Sequence, residues 1–478
     1  MKYIYHIGLI SLFVVLLVSC NNELEKINEN PNATETPQAA YLLSAVEYHG
    51  ANMYWGTSAD YNSTLLWIQH WAKIQYTEAD CYDVANTDFE ETWNTCYSSL
   101  LTDLSAIGKT ADTNDSYKGV AEILKSWVFL QLTNLYGDIP YRDYAKSVTP
   151  AYDTQETVLR GLLQDLGSAD SLLSTSGKTI EGDLMYNNNI SKWKKLANSL
   201  RLRIALEIAD RDEAGAKAII SSLYANKANL ISSNGDIAQF VFSASPQWNP
   251  WADAFSARDD QRVSKTLVDK LKSFNDPRLE IFAQLPQDST VTTYVGAANG
   301  LSASAANNQG FYKVSRPGSY FLEDKSPAVF FTYAEVLFDF AEAASRGWIN
   351  ADAETLYNSA ISASMEQYGV SDDEIKHYLE QDAVKFDAGK WYESIGWQKW
   401  IAYYGQGIDA FTDWRRLGYP DLKPGPHSAL PSGEMPRRFF YPDTEQSLNG
   451  NNYQSAVKQQ GEDKLTTRLW FDVKDKKR

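Results

Sequence analysis

A mostly α-helical body, with stacked helix pairs as scaffold and one long irregular region set into it, is the fold class this sequence predicts. Three observations carry that expectation. Apolar residues recur at i, i+3 and i+4 spacing in segments from both halves of the chain. Those segments come in pairs separated by turn signals, and residues 231–325 lose the period and fill with Gly, Ser, Asn, Pro and aromatic residues.

From the N-terminus, Lys2 precedes an apolar run from Ile7 to Val18, interrupted by Gly8 and Ser11. A membrane-spanning helix needs roughly 20 residues, so this shorter run reads as a cleaved secretory leader, residues 1–19. Leu17-Val18-Ser19-Cys20 then resembles a bacterial lipobox, in which the cysteine thiol is acylated. Two or more acyl chains on Cys20 would hold a soluble body on a bilayer, where a single chain anchors weakly. Residues 20–38 contain Pro31 and Pro37 without apolar period and read as a lipidated tether. Residues 39–478 follow as a single helical domain.

In that domain, 117–136 places Leu124, Trp127, Val128, Leu132 and Leu135 on one face, with Gly137 and Pro140 to end it. Its partner spans 154–173, with Asp153 as N-cap. A second pair starts at Ser191, with Trp193, Leu196, Ala197, Leu200 and Ile204 as its stripe, and continues over 212–224. A third joins 329–346, with Tyr333, Val336, Leu337, Phe340 and Ala344 on one face, to 352–368 across Gly347-Trp348. Pairs of this length, rich in alanine and large aromatics, predict tetratricopeptide-like stacking into a superhelical scaffold. Within 231–325 the run Ile237 to Phe242 reads as β-like among loops and small hairpins. Loops of that length in a compact domain are usually functional.

The formal net charge of −17 argues against nucleic acid or anionic headgroups as partners, since both demand a positive patch. With Cys20 acylated, Cys81 and Cys96 remain; export leaves open a disulfide or two buried free thiols. The histidines (His6, His49, His70, His377, His427) form no His-x-x-x-His and no Cys–His cluster, so no metal and no cofactor is expected. Ser176-Gly177-Lys178-Thr179 looks like a phosphate loop, but Leu172 stands where its first glycine must be and no strand precedes it, so it reads as a turn. Asp259-Asp260 could in principle serve a glycosidase; among 61 acids the pair reads as solvated surface. No catalytic residue is assigned.

Several segments together resemble the SusD-like (SusD/RagB) nutrient-binding outer-membrane lipoproteins. They are the lipobox at Cys20, Ile27-Asn28-Glu29-Asn30-Pro31-Asn32, Leu132 through Tyr141, and Trp193 through Arg203. In the second half come Tyr333-Ala334-Glu335-Val336-Leu337 with Ala341-Glu342-Ala343, Trp414 through Pro420, Arg438 through Pro442 with Glu445 through Asn449, and Thr467-Arg468-Leu469-Trp470. Phe471 departs from the pattern, which leads one to expect a second tryptophan there. The resemblance implies a surface-exposed outer-membrane lipoprotein, a non-enzyme that captures nutrient oligomers. It would pass them to a partner TonB-dependent transporter of the SusC type. Glu23 and Glu25, just after the lipidated cysteine, fit surface export. Ligands in such a family are glycans or, in some branches, oligopeptides.

The 14 Trp and 29 Tyr favour glycans physically, because the C–H face of a pyranose stacks on an indole or phenol ring while amides and carboxylates bind its hydroxyls. The expected stacking platform is Trp55, Trp248 and Trp251, with Tyr54, Tyr82 and Tyr320 secondary and Asn249 and Arg258 as polar partners. Trp55 precedes the first strong helical segment, and the prolines and Asn249 of Pro246-Gln247-Trp248-Asn249-Pro250-Trp251 argue against a helix core. Trp67, Trp71, Trp93, Trp127, Trp193 and Trp400 fall in helical stripes and are assigned to the core, with Trp414-Arg415-Arg416 as scaffold. Oligopeptide capture, a surface glycosidase or peptidase, and a purely structural surface protein are the rival readings.

Overall fold

Each expected helix pair forms, and every member starts on a side chain that accepts a hydrogen bond from a free amide of its first turn. The computed structural model describes residues 37–110, 112–173, 179–244, 247–474 and 476. The leader, Cys20, the tether to residue 36, Ser176-Gly177-Lys178 and Pro246 lie outside these described residues. Residues Ala39–Arg478 form one compact unit.

α1 (Ala39–Tyr54) is a helix the sequence reading did not assign, although Leu43, Val46, Gly50 and Tyr54 bury one face of it. α2 (Asp115–Tyr136) begins on Asn114, two residues earlier than expected, and stops at Gly137, whose φ of 89° suits glycine. It packs against α3 (Gln155–Leu172), capped by Thr154 and not by Asp153. Asp153 instead pairs with Arg142 at 3.3 Å, and its backbone bridges Ile139. α4 (Ile190–Glu207) starts on Asn189 and α5 (Glu213–Ala225) on Asp212.

The irregular region holds more regular structure than its composition suggests. β1 (Trp71–Lys73) lies before it, and β2 (Ala238–Val241) falls inside the Ile237 to Phe242 run. α6 (Pro250–Ala257) follows, then β3 (Gln261–Val263), antiparallel to β1, and α7 (Lys265–Ser273). β4 (Pro327–Phe331) pairs antiparallel with β2, so the start of the expected 329–346 helix is strand instead. Three successive residues of that stretch, Val329, Phe330 and Phe331, are buried, which suits a strand covered on both sides. Thr332 then caps α8 (Tyr333–Ser345), which packs on α9 (Ala353–Gln367), itself started by Asp352. α10 (Trp391–Ala402) packs on α8, and α11 (Gly407–Leu417) packs on α10.

The helices meet around buried ions as well as apolar side chains. From α4, Arg203 reaches Glu335 on α8 at 2.6 Å and Asp409 on α11 at 3.0 Å, while Tyr54 donates to Asp409 at 2.6 Å. Lys399 on α10 binds Asp339 (2.6 Å) and Asp413 (3.3 Å), and Arg416 on α11 holds Glu342 with two bonds of 2.6 and 2.7 Å. Burial alone would raise Glu342, but Arg416 and Arg346 outweigh it and hold its carboxyl down to about 2. Glu207 has weaker company, and burial pushes it up to about 8. Trp67, Trp71, Trp93, Trp127, Trp193 and Trp400 are all buried, Trp71 on a strand and not in a helix.

Cys81 and Cys96 are both buried and unbonded, so of the two readings the structure has free thiols and not a disulfide. The Cys81 thiol donates to the Leu301 carbonyl at 3.2 Å. Among the described residues no helix is long and apolar enough to cross a membrane.

Candidate ligand-binding cleft

Just beyond α1 the backbone widens into a π-helix, Thr57–Thr64. The Tyr61 amide donates to the Gly56 carbonyl five residues back at 3.0 Å; the hydroxyls of Ser63 and Thr64 do the same to Ser58 (2.8 Å) and Ala59 (3.0 Å). Short polar side chains that bind the backbone locally stabilise such a departure from the α-helix. The wider turn brings Ser58, Tyr61 and Asn62 to the wall of a cleft of about 580 Å³, inside the roughly 300–1,000 Å³ typical of small-molecule sites. Lys73, Tyr76 and Glu78 line it from β1 onward, Asp83, Asp88 and Glu91 from the segment of short helical turns that follows, and Arg258 and Asp260 from just beyond α6.

Cross-links fix these segments to one another. Ser58 Oγ donates to the Asp88 carbonyl (2.8 Å), Gln261 Nε2 to the Tyr61 carbonyl (2.7 Å), and the Ile74 amide to the Asp260 carbonyl (2.9 Å). Beneath them, buried Asp80 accepts from the amides of Lys73 (3.2 Å) and Gly300 (3.1 Å) and from Asn299 Nδ2 (2.8 Å). Burial pushes Asp80 up to about 6 in spite of those donors.

The exposed aromatic ring of the cleft is Tyr76, 57% exposed and held at a φ of 54°. The Arg258 guanidinium lies 3.8 Å from its ring centroid, a cation–π contact that leaves ring area open to solvent. Arg258 also reaches Asp260 at 3.4 Å, and Lys73 reaches the same carboxylate at 3.3 Å. Burial lowers the Lys73 ammonium, with Asp260 opposing the effect. Among the described residues no group of three or more His, Cys, Asp or Glu side chains is placed to hold a metal ion.

A second cleft, of about 760 Å³, lies beside Trp470. Its polar side chains are largely engaged with the protein itself: Arg211 donates to the Trp470 carbonyl (2.6 Å), Arg468 binds Asp472 (2.6 Å), and Gln460 accepts from the Asp138 amide (2.5 Å). The Tyr76 cleft, between irregular segments and with free polar groups, is the better candidate despite its smaller volume.

Of the eight side chains expected at the site, Arg258 is the one that lines this cleft. Trp55 and Trp251 require correction. They stack on each other at 3.9 Å and 7°, and both are fully buried, so neither offers a face to ligand. Tyr54 is buried on Asp409, and Tyr82 is buried in a left-handed conformation. Asn249 is buried as the N-cap of α6, accepting from the Trp251 amide at 2.7 Å. Asn249 and Pro250 are therefore helix-start signals, at the N-cap and first-turn positions those residues favour, and not evidence against a helix. Trp248 is half-buried and Tyr320 partly exposed, and neither lines the cleft.

The family model described as "Starch-binding associating with outer membrane" matches residues 31–442. The chain belongs to the SusD-like family. Its fold is similar to that of a solved chitin-binding protein, 29% identical, with a TM-score of 0.82 over 91% of this chain and 100% of the other. A chitin-binding SusD homolog from Flavobacterium johnsoniae matches at 23% identity, TM-score 0.84, over 92% and 99% of the two chains. A SusD homolog from Bacteroides fragilis NCTC 9343 matches at 26% identity, TM-score 0.78, over 92% and 100%. No curated protein matches the chain. The SusD-like fold is the mostly helical one expected, with tetratricopeptide-like pairs as scaffold.

In this SusD-like chain the exposed ring of the cleft, Tyr76, is not among the residues the sequence pattern points to, and neither are Tyr61 and Lys73. Tyr76 sits among polar neighbours, Gln75 and Thr77, which is the one signal available in the chain. Its partner Arg258 is far away in sequence, and contacts of that separation leave no local trace.

Proposed function

We propose that the chain is a surface lipoprotein, anchored through Cys20, that captures oligosaccharides without cleaving them and hands them to a SusC-like TonB-dependent transporter. The observation that carries this reading is the open Tyr76–Arg258 pair in a cleft of sugar-binding size. A pyranose face can stack on the phenol while the guanidinium and the carboxylates nearby take its hydroxyls. Membership of a family described as starch-binding and outer-membrane-associated supports it, as does likeness to a protein named for chitin binding. Tyr76→Ala is expected to weaken binding of chitin- or starch-derived oligomers about ten-fold or more. The urea midpoint should hardly move, because the ring is mostly solvated. Calorimetry with wild type and variant checks this; equal affinities, or mass spectra with cleaved oligomers, would overturn it. For the anchor, Cys20→Ala is expected to release the protein from the membrane fraction, and unchanged membrane retention would refute the acylation.

A further inference from the structure

The charges lining the Tyr76 cleft do not balance, and the excess is on one side. Both cations, Lys73 and Arg258, lean on the same carboxylate, Asp260. Glu78, Asp83, Asp88 and Glu91 line the cleft as exposed carboxylates, and among the described residues none of the four forms an ion pair; Asp88 accepts from the Ala85 amide at 2.7 Å. This is unlike many acids elsewhere on the surface, such as Asp115, Asp143, Asp382 and Asp421, which are paired with Lys118, Lys146, Lys385 and Lys423. A second, independent feature points to a ligand. Tyr61 is 4% exposed, lines the cleft, and among the described residues its hydroxyl meets no partner within hydrogen-bond geometry. A buried hydroxyl left unmatched is costly and ready to be satisfied by a polar group entering the cleft.

We infer that this cleft selects oligosaccharides bearing protonated amines, such as deacetylated amino-sugar oligomers, and excludes uronates and sulfated glycans. The inference rests on the oligosaccharide reading given above and adds a sign of charge to it. An ammonium group near several unpaired carboxylates gains from each of them, and a carboxylate or sulfate is repelled by each. Both effects fade as salt screens the rim.

The test compares three hexamers by calorimetry at low and high salt: fully deacetylated glucosamine, its N-acetylated form, and galacturonate. The deacetylated hexamer should bind about five-fold or more tightly than the acetylated one at low salt, with the gap closing at high salt. Galacturonate should not compete. In an Asp83→Asn/Glu91→Gln variant the ratio between the first two should fall toward one; both positions are exposed, so the fold should tolerate the change. Tyr76-dependent binding of the acetylated hexamer with no preference for the free amine, or with galacturonate competing, would overturn the charge inference and leave oligosaccharide capture standing. Failure of every oligosaccharide to bind would remove both. Tyr76-dependent binding of a lysine-rich peptide in their place would overturn the inference in favour of peptide capture.

Discussion

Replacing Trp251 with alanine is expected to cost about 3–5 kcal/mol of unfolding free energy, the usual loss for a large aromatic removed from a core. Its indole stacks at 3.9 Å on Trp55, meets Trp71 at 4.6 Å, and approaches Phe321 at 6.4 Å. Gly405, at a φ of 88°, closes over the stack: a β-carbon there would lie 3.4 Å from Trp251 and 3.5 Å from Trp55. The surrounding rings relax only partly into the space an alanine leaves, so the cost includes a cavity. A urea titration followed by circular dichroism reads the loss. An unchanged midpoint would mean that the indole is dispensable to the fold. Phenylalanine should cost less, since among the described residues the Trp251 indole N–H has no hydrogen-bond partner to lose.

Arg203→Ala is the second large loss expected, again about 3–5 kcal/mol, because it strands two buried carboxylates at once. Glu335 and Asp409 are already raised by burial, even with Arg203 opposing that effect. Without the guanidinium both should rise further. A carboxyl with a raised folded-state pKa favours the fold while protonated and penalises it as pH climbs from the unfolded-state value through the folded one. The deficit of the variant should therefore be smallest in mild acid and widen toward alkaline pH. Urea midpoints of both proteins across that range check the sign. A deficit that is constant, or that shrinks with rising pH, would remove these carboxylates from the explanation.

The scaffold was legible in the sequence because its helices advertise themselves. Asn114, Thr154, Asn189, Asp212, Thr332 and Asp352 are all of the short polar type that takes a first-turn amide, and apolar stripes follow each. The polar members of the recognised segments also find their reason in the structure: Arg203, Glu335, Glu342 and Arg416 are the ions that lock α4, α8 and α11 together. The site was much less legible. Tryptophan outside an apparent stripe suggested exposure, yet Trp55 and Trp251 bury each other across a contact of nearly 200 residues' separation, which no local pattern encodes. Arg258 was found by its place in the irregular region. Tyr76 was not, because its exposure depends on a left-handed backbone and on β1 pairing with a distant strand.

The widened turn at Thr57–Thr64 makes chain length itself a determinant of what a sugar would meet. An α-helix turns about 100° per residue, so the loss of a single residue there, restoring ordinary winding, would swing Ser58, Tyr61 and Asn62 around the axis together. Shortening or lengthening that one turn could therefore re-aim a whole wall of contacts in one evolutionary step, with every helix of the scaffold left as it stands.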